Sequence, residues 1–173
     1  MKSLRKTMLA ATLISAITLG GLGAAYAANL NKSAALEQAT VSAQQAIEQA
    51  KTKFDGKVVE MELKHKKDAL FYEVTLLQGT QKQEMKIDAK SGEVIGTKSK
   101  QETKHQEKWQ ALQQEVKISL EQAMDIAQQQ TGGKVKEIEF KVKKGTPQYK
   151  VETSLNGKTS KMRINANTGE ILQ

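Results

Sequence analysis

Cysteine is absent from all 173 residues, proline occurs once, and aromatic residues make up 4% of the chain. Without cysteine there is no disulfide framework, no thiolate ligand or cysteine nucleophile, and no lipid held by a cysteine behind a leader. Any folded unit must stand on its apolar core. The shortage of aromatics argues against a platform for stacking bases, so nucleic acid is not an expected partner. Blocks of like charge are missing too, since lysines and glutamates alternate through most of the chain.

Long apolar runs are absent with one exception, at residues 8–22. Lys2, Arg5 and Lys6 precede it, and Ala25-Tyr26-Ala27 follows with the small-x-small pattern that signal peptidase reads. The run is too short and too rich in Gly, Ala and Thr for a stable membrane anchor. Residues 1–27 therefore read as a signal peptide cleaved between Ala27 and Ala28. The remaining chain is expected to be periplasmic or secreted, with no membrane span. It keeps 24 basic and 19 acidic residues. A net charge near +5 with interleaved signs reads as solubility before it reads as polyanion binding.

The dominant internal feature is a repeat. Shifted by 77 residues, 41–95 falls on 118–172 without a gap, and 19 of the 55 pairs are identical. Each copy opens with a capping box, Ser42…Gln45 and Ser119…Gln122, ahead of apolar residues at helical spacing. Gly56 and the pair Gly132-Gly133 read as the C-terminal stops of these helices. The period then changes to two. Met61, Leu63 and His65, expected on the buried face with His65 partly buried, alternate with charged residues, as do Ile138, Phe140 and Val142. After a turn at Lys67-Asp68, or at Lys144-Gly145-Thr146-Pro147, a second strand places Tyr72, Val74 and Leu76, or Tyr149 and Val151, on the inner face. A Gly-containing turn leads to a third strand, which closes on "KIDAKSGEVI" or "RINANTGEIL".

The expected fold is α+β, with two tandem modules, each one helix packed on a three- to four-stranded antiparallel meander. The expected organisation is a lead segment at 28–40, one module at 41–96, a charged helical linker at 97–116 and a second module at 117–173. The linker holds Trp109 and Leu112, which are expected to dock on a module. A unit of roughly 60 residues is marginal alone, so the copies are expected to pack together.

The most specific residues are Tyr72, Val74, Ile87, Asp88, Gly92 and Glu93, repeated as Tyr149, Val151, Ile164, Asn165, Gly169 and Glu170. Together with the capped helix they resemble the PepSY domain, found in propeptides of thermolysin-type metallopeptidases and in small exported bacterial proteins. The second copy departs from the pattern at Asn165 and Lys150. The resemblance implies a non-catalytic module that binds and inhibits or regulates a peptidase or another exported protein, with no cofactor and no catalytic residues to carry over.

The residues themselves offer little chemistry to set against this. Neither His65 nor His105 belongs to a metal motif. A calcium loop starting at Asp88 would need an oxygen ligand at Lys90, and its copy starts with neutral Asn165. "TGGKV" at 131–135 lacks the first glycine and the hydroxyl residue of a phosphate loop. No serine is paired with a histidine by the repeat. Glu60 and Glu62 lie on the wet face of a strand. An enzyme is not expected, and no metal site is assigned. The rival reading is a structural or sensory envelope module that binds a small ligand or a polyanion. It would draw on Lys64, Lys66, Lys67, Lys141, Lys143 and Lys144, at the ends of the two first strands.

Overall fold

The computed structural model describes residues 35–67, 69–104, 109–112 and 116–172. The leader, its Ala27–Ala28 junction, Asp68 and His105 lie outside the described residues. Helices α1 (Ala43–Lys53) and α2 (Leu120–Thr131) start where the capping boxes predict. In α1 the Gln45 N–H donates to the Ser42 hydroxyl at 3.2 Å, and the Ser42 N–H donates to the Gln45 side chain at 2.8 Å. Ser119 and Gln122 repeat this at 3.1 and 2.8 Å. Each cap satisfies donors that the first helical turn leaves unpaired. The buried faces, Ala43, Ala46, Ile47 and Ala50 against Leu120, Ala123, Met124 and Ala127, are rich in alanine, which lets the helices sit close to the sheet.

The two C-termini differ from each other. Gly132 ends α2 in the left-handed conformation, at φ 66°, as expected of a C-cap. Gly56 does not end α1; Phe54 does, in an extended conformation. Gly56 is required for a different reason. A Cβ there would stand 3.0 Å from the Leu77 carbonyl oxygen, and at Gly133 one would stand 2.8 Å from that of Ser154. Both glycines let the chain pass close to the end of the second strand of their own copy.

Four strands follow each helix: β1 (Lys57–Lys66), β2 (Ala69–Gln78), β3 (Gln81–Asp88) and β4 (Val94–Gln101), then β5 (Lys134–Lys143), β6 (Thr146–Leu155), β7 (Lys158–Asn165) and β8 (Ile171–Leu172). All pairings are antiparallel. Tyr72, Val74, Met85 and Ile87 bury under α1, and Tyr149, Val151 and Ile164 under α2. Three expectations need correction. His65 is exposed, as is its counterpart Val142, because the far ends of β1 and β5 run out beyond the buried core. Pro147 belongs to β6 and not to a turn; its carbonyl accepts the Ala166 N–H at 3.0 Å. Residues 97–101, expected to begin a helical linker, extend β4 along the full edge of β3. An unpaired edge offers ladder hydrogen bonds, and these outweigh the helix propensity of a Lys/Gln-rich stretch. The remaining linker is helical at 109–112, where Trp109 and Leu112 are buried as expected.

The strand order is β4-β3-β2-β1-β5-β6-β7-β8, a continuous sheet of eight strands. The copies join where β1 meets β5, with Met61 opposite Ile138, Glu60 opposite Glu139 and Glu62 opposite Glu137. Adding 77 to the first member of each pair and subtracting it from the second returns the same set. A local two-fold axis therefore passes between Met61 and Ile138. The helices obey it too: Gln44 bonds Gln128, and the symmetry-related pair Lys51 and Glu121 is a salt bridge at 3.2 Å. Each leading segment crosses to the other copy. Glu37 pairs with Lys134 of β5 at 3.3 Å, and Lys57 of β1 donates to the Leu112 carbonyl at 3.0 Å.

Candidate interaction surface

The signature residues converge on one structural knot in each copy. The Tyr72 hydroxyl donates to the Val41 carbonyl at 2.9 Å, and that of Tyr149 to the Ile118 carbonyl at 2.8 Å. The Ala89 carbonyl accepts the Thr40 and Val41 N–H groups, both at 3.0 Å, and Ala166 does the same for Lys117 and Ile118. The middle strand and the closing turn thus grip the residues just ahead of each helix. Burial of the phenols pushes the Tyr72 hydroxyl up to about 12, and that of Tyr149 up as well, with the nearby Glu121 charge adding to the effect.

The closing turn behaves as an Asx turn. Asp88 accepts the Lys90 and Ser91 N–H groups at 2.8 Å each. Asn165 accepts those of Asn167 and Thr168 at 2.8 and 3.2 Å. The backbone bonds to Asp88 hold its carboxyl below the usual range. Gly92 and Gly169, both at φ 77°, supply the left-handed step that follows. Glu93 and Glu170 lie exposed on the far arm of this turn, and Val74, Val151, Ile87 and Ile164 are core. The turn's backbone donors are thereby occupied within the turn, by the Asp88 or Asn165 side chain and carbonyl and by the Ser91 or Thr168 hydroxyl. No group of three or more His, Cys, Asp or Glu among the described residues could hold a metal ion.

Both helices lie on one side of the sheet, leaving the other face free of any described helix. Charged side chains cover that face. Around the two-fold axis sit Glu60, Glu62, Glu137 and Glu139, with Glu60 facing Glu139 and Glu62 facing Glu137. Like charges directly opposite one another oppose pairing. Lysines answer most of this: Lys64 lies 3.3 Å from Glu62, Lys150 2.9 Å from Glu137, and Lys141 3.0 Å from Glu139. Burial, and then the Glu139 charge, raise the Glu60 carboxyl.

Sequence reading missed the most enclosed charge on this face. Lys136 sits in the β5 bulge with a side chain 2% exposed, 3.6 Å from Glu152 and 3.0 Å from the Thr159 hydroxyl. Its counterpart is Val59, and that of Glu152 is Thr75. Burial alone would raise the Glu152 carboxyl. Hydrogen bonds from Lys161 at 2.7 Å and Lys150 at 3.1 Å outweigh it and hold the carboxyl low. The signal was available in the repeat, where apolar Val59, Phe71 and Leu77 become Lys136, Gln148 and Ser154.

On the helix side, two clefts of about 340 and 200 Å³ lie between the copies and are related by the local axis. The larger meets Lys51, Lys57, Leu112, Leu120 and Tyr149; the smaller meets Leu36, Gln44, Tyr72, Gln128 and Lys134. The two lysine groups of the rival reading are not brought together. The strands cross antiparallel at Met61–Ile138, so Lys66 and Lys143 lie at opposite ends, ten residues or roughly 33 Å apart along the strand direction.

The repeat, the knot around each tyrosine and the closing turn define a family. The PepSY model, described as "Peptidase propeptide and YPEB domain", matches residues 40–98 and again 117–173. The chain belongs to this family, in two successive copies. A crystal structure of a protein from Clostridium difficile 630, described as a "putative lipoprotein", is similar at 22% identity, covering 77% of this chain and 91% of that one, with a TM-score of 0.47. No curated protein matches. Among the described residues no helix is long and apolar enough to cross a membrane.

Proposed function

We propose that this chain is an exported, non-catalytic regulator that binds a peptidase, or another protein of the same compartment, and inhibits or otherwise modulates it. The observation that carries this reading is the double match to a domain of peptidase propeptides. The leader pattern at residues 1–27, with cleavage between Ala27 and Ala28, supports export. The modules 41–96 and 117–173 act as one body through their shared sheet. Its helix-free face and its outer strands are the surfaces offered to a partner.

The signature residues hold the modules together and do not touch that partner. A polyanion-binding role is less favoured, because the lysine groups of the two copies lie toward opposite ends of the neighbouring strands β1 and β5, and Lys64 and Lys141 are already paired with Glu62 and Glu139. The test is capture from the exported fraction with residues 28–173 as bait. Enrichment of a peptidase whose activity changes on binding is the expected result. Absence of any enriched peptidase, with peptidase activity unchanged, would sink the proposal.

A further inference from the structure

Strand β4 ends the sheet order on one side and, among the described strands, is bonded to β3 alone. Natural sheets guard such edges with short strands, proline, bulges or a covering element. Here the strand has eight residues and no proline, and its register is broken only near its start, around Ile95. Thr97 to Gln101 are exposed without interruption, so neither face of that stretch is covered. In β3, by contrast, Gln83, Met85 and Ile87 are buried. Helix α1 packs over β1, β2 and β3, and β4 projects beyond it. A strand bonded along one flank keeps alternate N–H and C=O groups directed to the other, a ready template for a further strand.

The side chains decide which strand fits. Lys98 stands opposite Glu84, and Lys100 opposite Lys82. All four lie on the helix-free face, because Glu84 is opposite Thr75 and Thr75 is opposite Glu60. Lys82 and Lys100 both reach Glu84, at 3.2 and 2.9 Å. Three lysines thus share one carboxylate, and the edge keeps a positive excess. A carboxylate set opposite Lys98 or Lys100 on an added strand gains a cross-strand ion pair. The same lysines disfavour this chain as its own occupant. Two β4 edges paired over most of their length bring Lys98 and Lys100 of one copy beside those of the other. The guard against like edges is therefore also a filter for acidic ones.

We propose that the outer edge of β4, at residues 96–101, receives an extended acidic segment of a partner protein as an added antiparallel strand. Main-chain hydrogen bonds supply the attachment, and carboxylates facing Lys98 and Lys100 set the choice of segment. On the other face, Thr97 and Ser99 meet small or β-branched residues. The idea rests on the binding role above only in that the segment belongs to a partner; no peptidase is needed for the edge chemistry.

The test follows backbone amides by NMR in the ¹⁵N-labelled chain as the cell processes it. The probe is a hexapeptide of alternating Thr and Glu, and its control alternates Thr and Lys. In the free protein, the outward amides of 96–101 exchange faster than those of β3, which is paired on both flanks. The acidic peptide slows them and shifts their resonances, and added salt weakens its binding. The basic peptide binds about tenfold more weakly, because cross-strand charge contacts turn from attractive to repulsive. Lys98→Glu together with Lys100→Glu reverses the preference; should that variant not fold, Lys98→Gln with Lys100→Gln abolishes it. Protected outward amides in the free protein, equal binding of the two peptides, or shifts confined to other strands would each overturn the proposal. Peptidase capture that succeeds while the acidic peptide fails removes this edge and retains the binding role. Peptide binding without peptidase capture retains the edge and removes the peptidase.

Discussion

Met61 and Ile138 face each other across the β1–β5 junction, and each is the other's counterpart in the repeat. Both are fully buried, in a row that runs Met85, Val74, Met61, Ile138, Val151, Met162 across six strands. Neither copy owns this row alone. Ile138→Ala is expected to cost about 2–5 kcal/mol, as large-to-small changes in a closed core do. In urea, Trp109 fluorescence and far-ultraviolet circular dichroism then report a single transition, moved to lower denaturant. Two separate transitions would mean that the copies fold independently.

The buried Lys136–Glu152 pair can be tested with the first copy as template. Glu152→Thr leaves Lys136 enclosed without its carboxylate and is expected to cost about 3–5 kcal/mol. Adding Lys136→Val recreates the Val59 and Thr75 combination and recovers most of that loss. Thermal unfolding of the two single variants and the double variant measures the coupling. A double variant no more stable than Glu152→Thr alone would show that the pair is not the stabilising unit.

Glu60 gives a pH dependence of definite sign. Burial and the Glu139 charge raise its folded-state pKa above the ordinary 4.5. Folding therefore favours the protonated form, so this group's contribution is most favourable at low pH and is lost as pH rises from about 4.5 through the folded value. Glu60→Gln removes the penalty and is expected to stabilise the protein at pH 7 by up to about 1 kcal/mol. The advantage fades below pH 4.5. Glu152 and Glu84, whose pKa values are lowered, contribute in the opposite sense, and their stabilisation is lost on acidification. Denaturation midpoints at pH 4 and pH 7 check the prediction; equal gains at both would contradict it.

The helices, their caps and the strand order within each copy were legible because each rests on local sequence: a capping box, a change of period from 3.6 to 2, a glycine turn. The β1–β5 junction was not. The alternation in "VEMELKHK" fixes which face of β1 is buried, but not which strand lies beside it. The extension of β4 was hidden for a related reason, since "TKSKQ" has no strand preference of its own and is held by the edge of β3. Lys136 was legible in principle, as a charge replacing Val59 in an otherwise matched strand. His65 was misread because strand alternation says nothing about where the covering helix stops.

The tyrosine knots predict an optical signature. Tyr72 titrates near 12 and Tyr149 is also raised, so the folded chain from residue 28 onward shows little tyrosinate absorbance at pH 11. It gains that absorbance on unfolding in denaturant. Tyr72→Phe removes the bond to the Val41 carbonyl and is expected to cost about 1 kcal/mol. Ordinary titration near pH 10 in the native protein would show that the phenols are not enclosed.

The most direct measurement for the account as a whole is activity of the captured peptidase as purified chain is added back. A regulator in which both copies form one body predicts a saturable change that levels off near one chain per enzyme. Activity that stays flat at saturating chain, with the peptidase still bound, would contradict a regulatory role. Failure of any peptidase to bind would contradict the choice of partner.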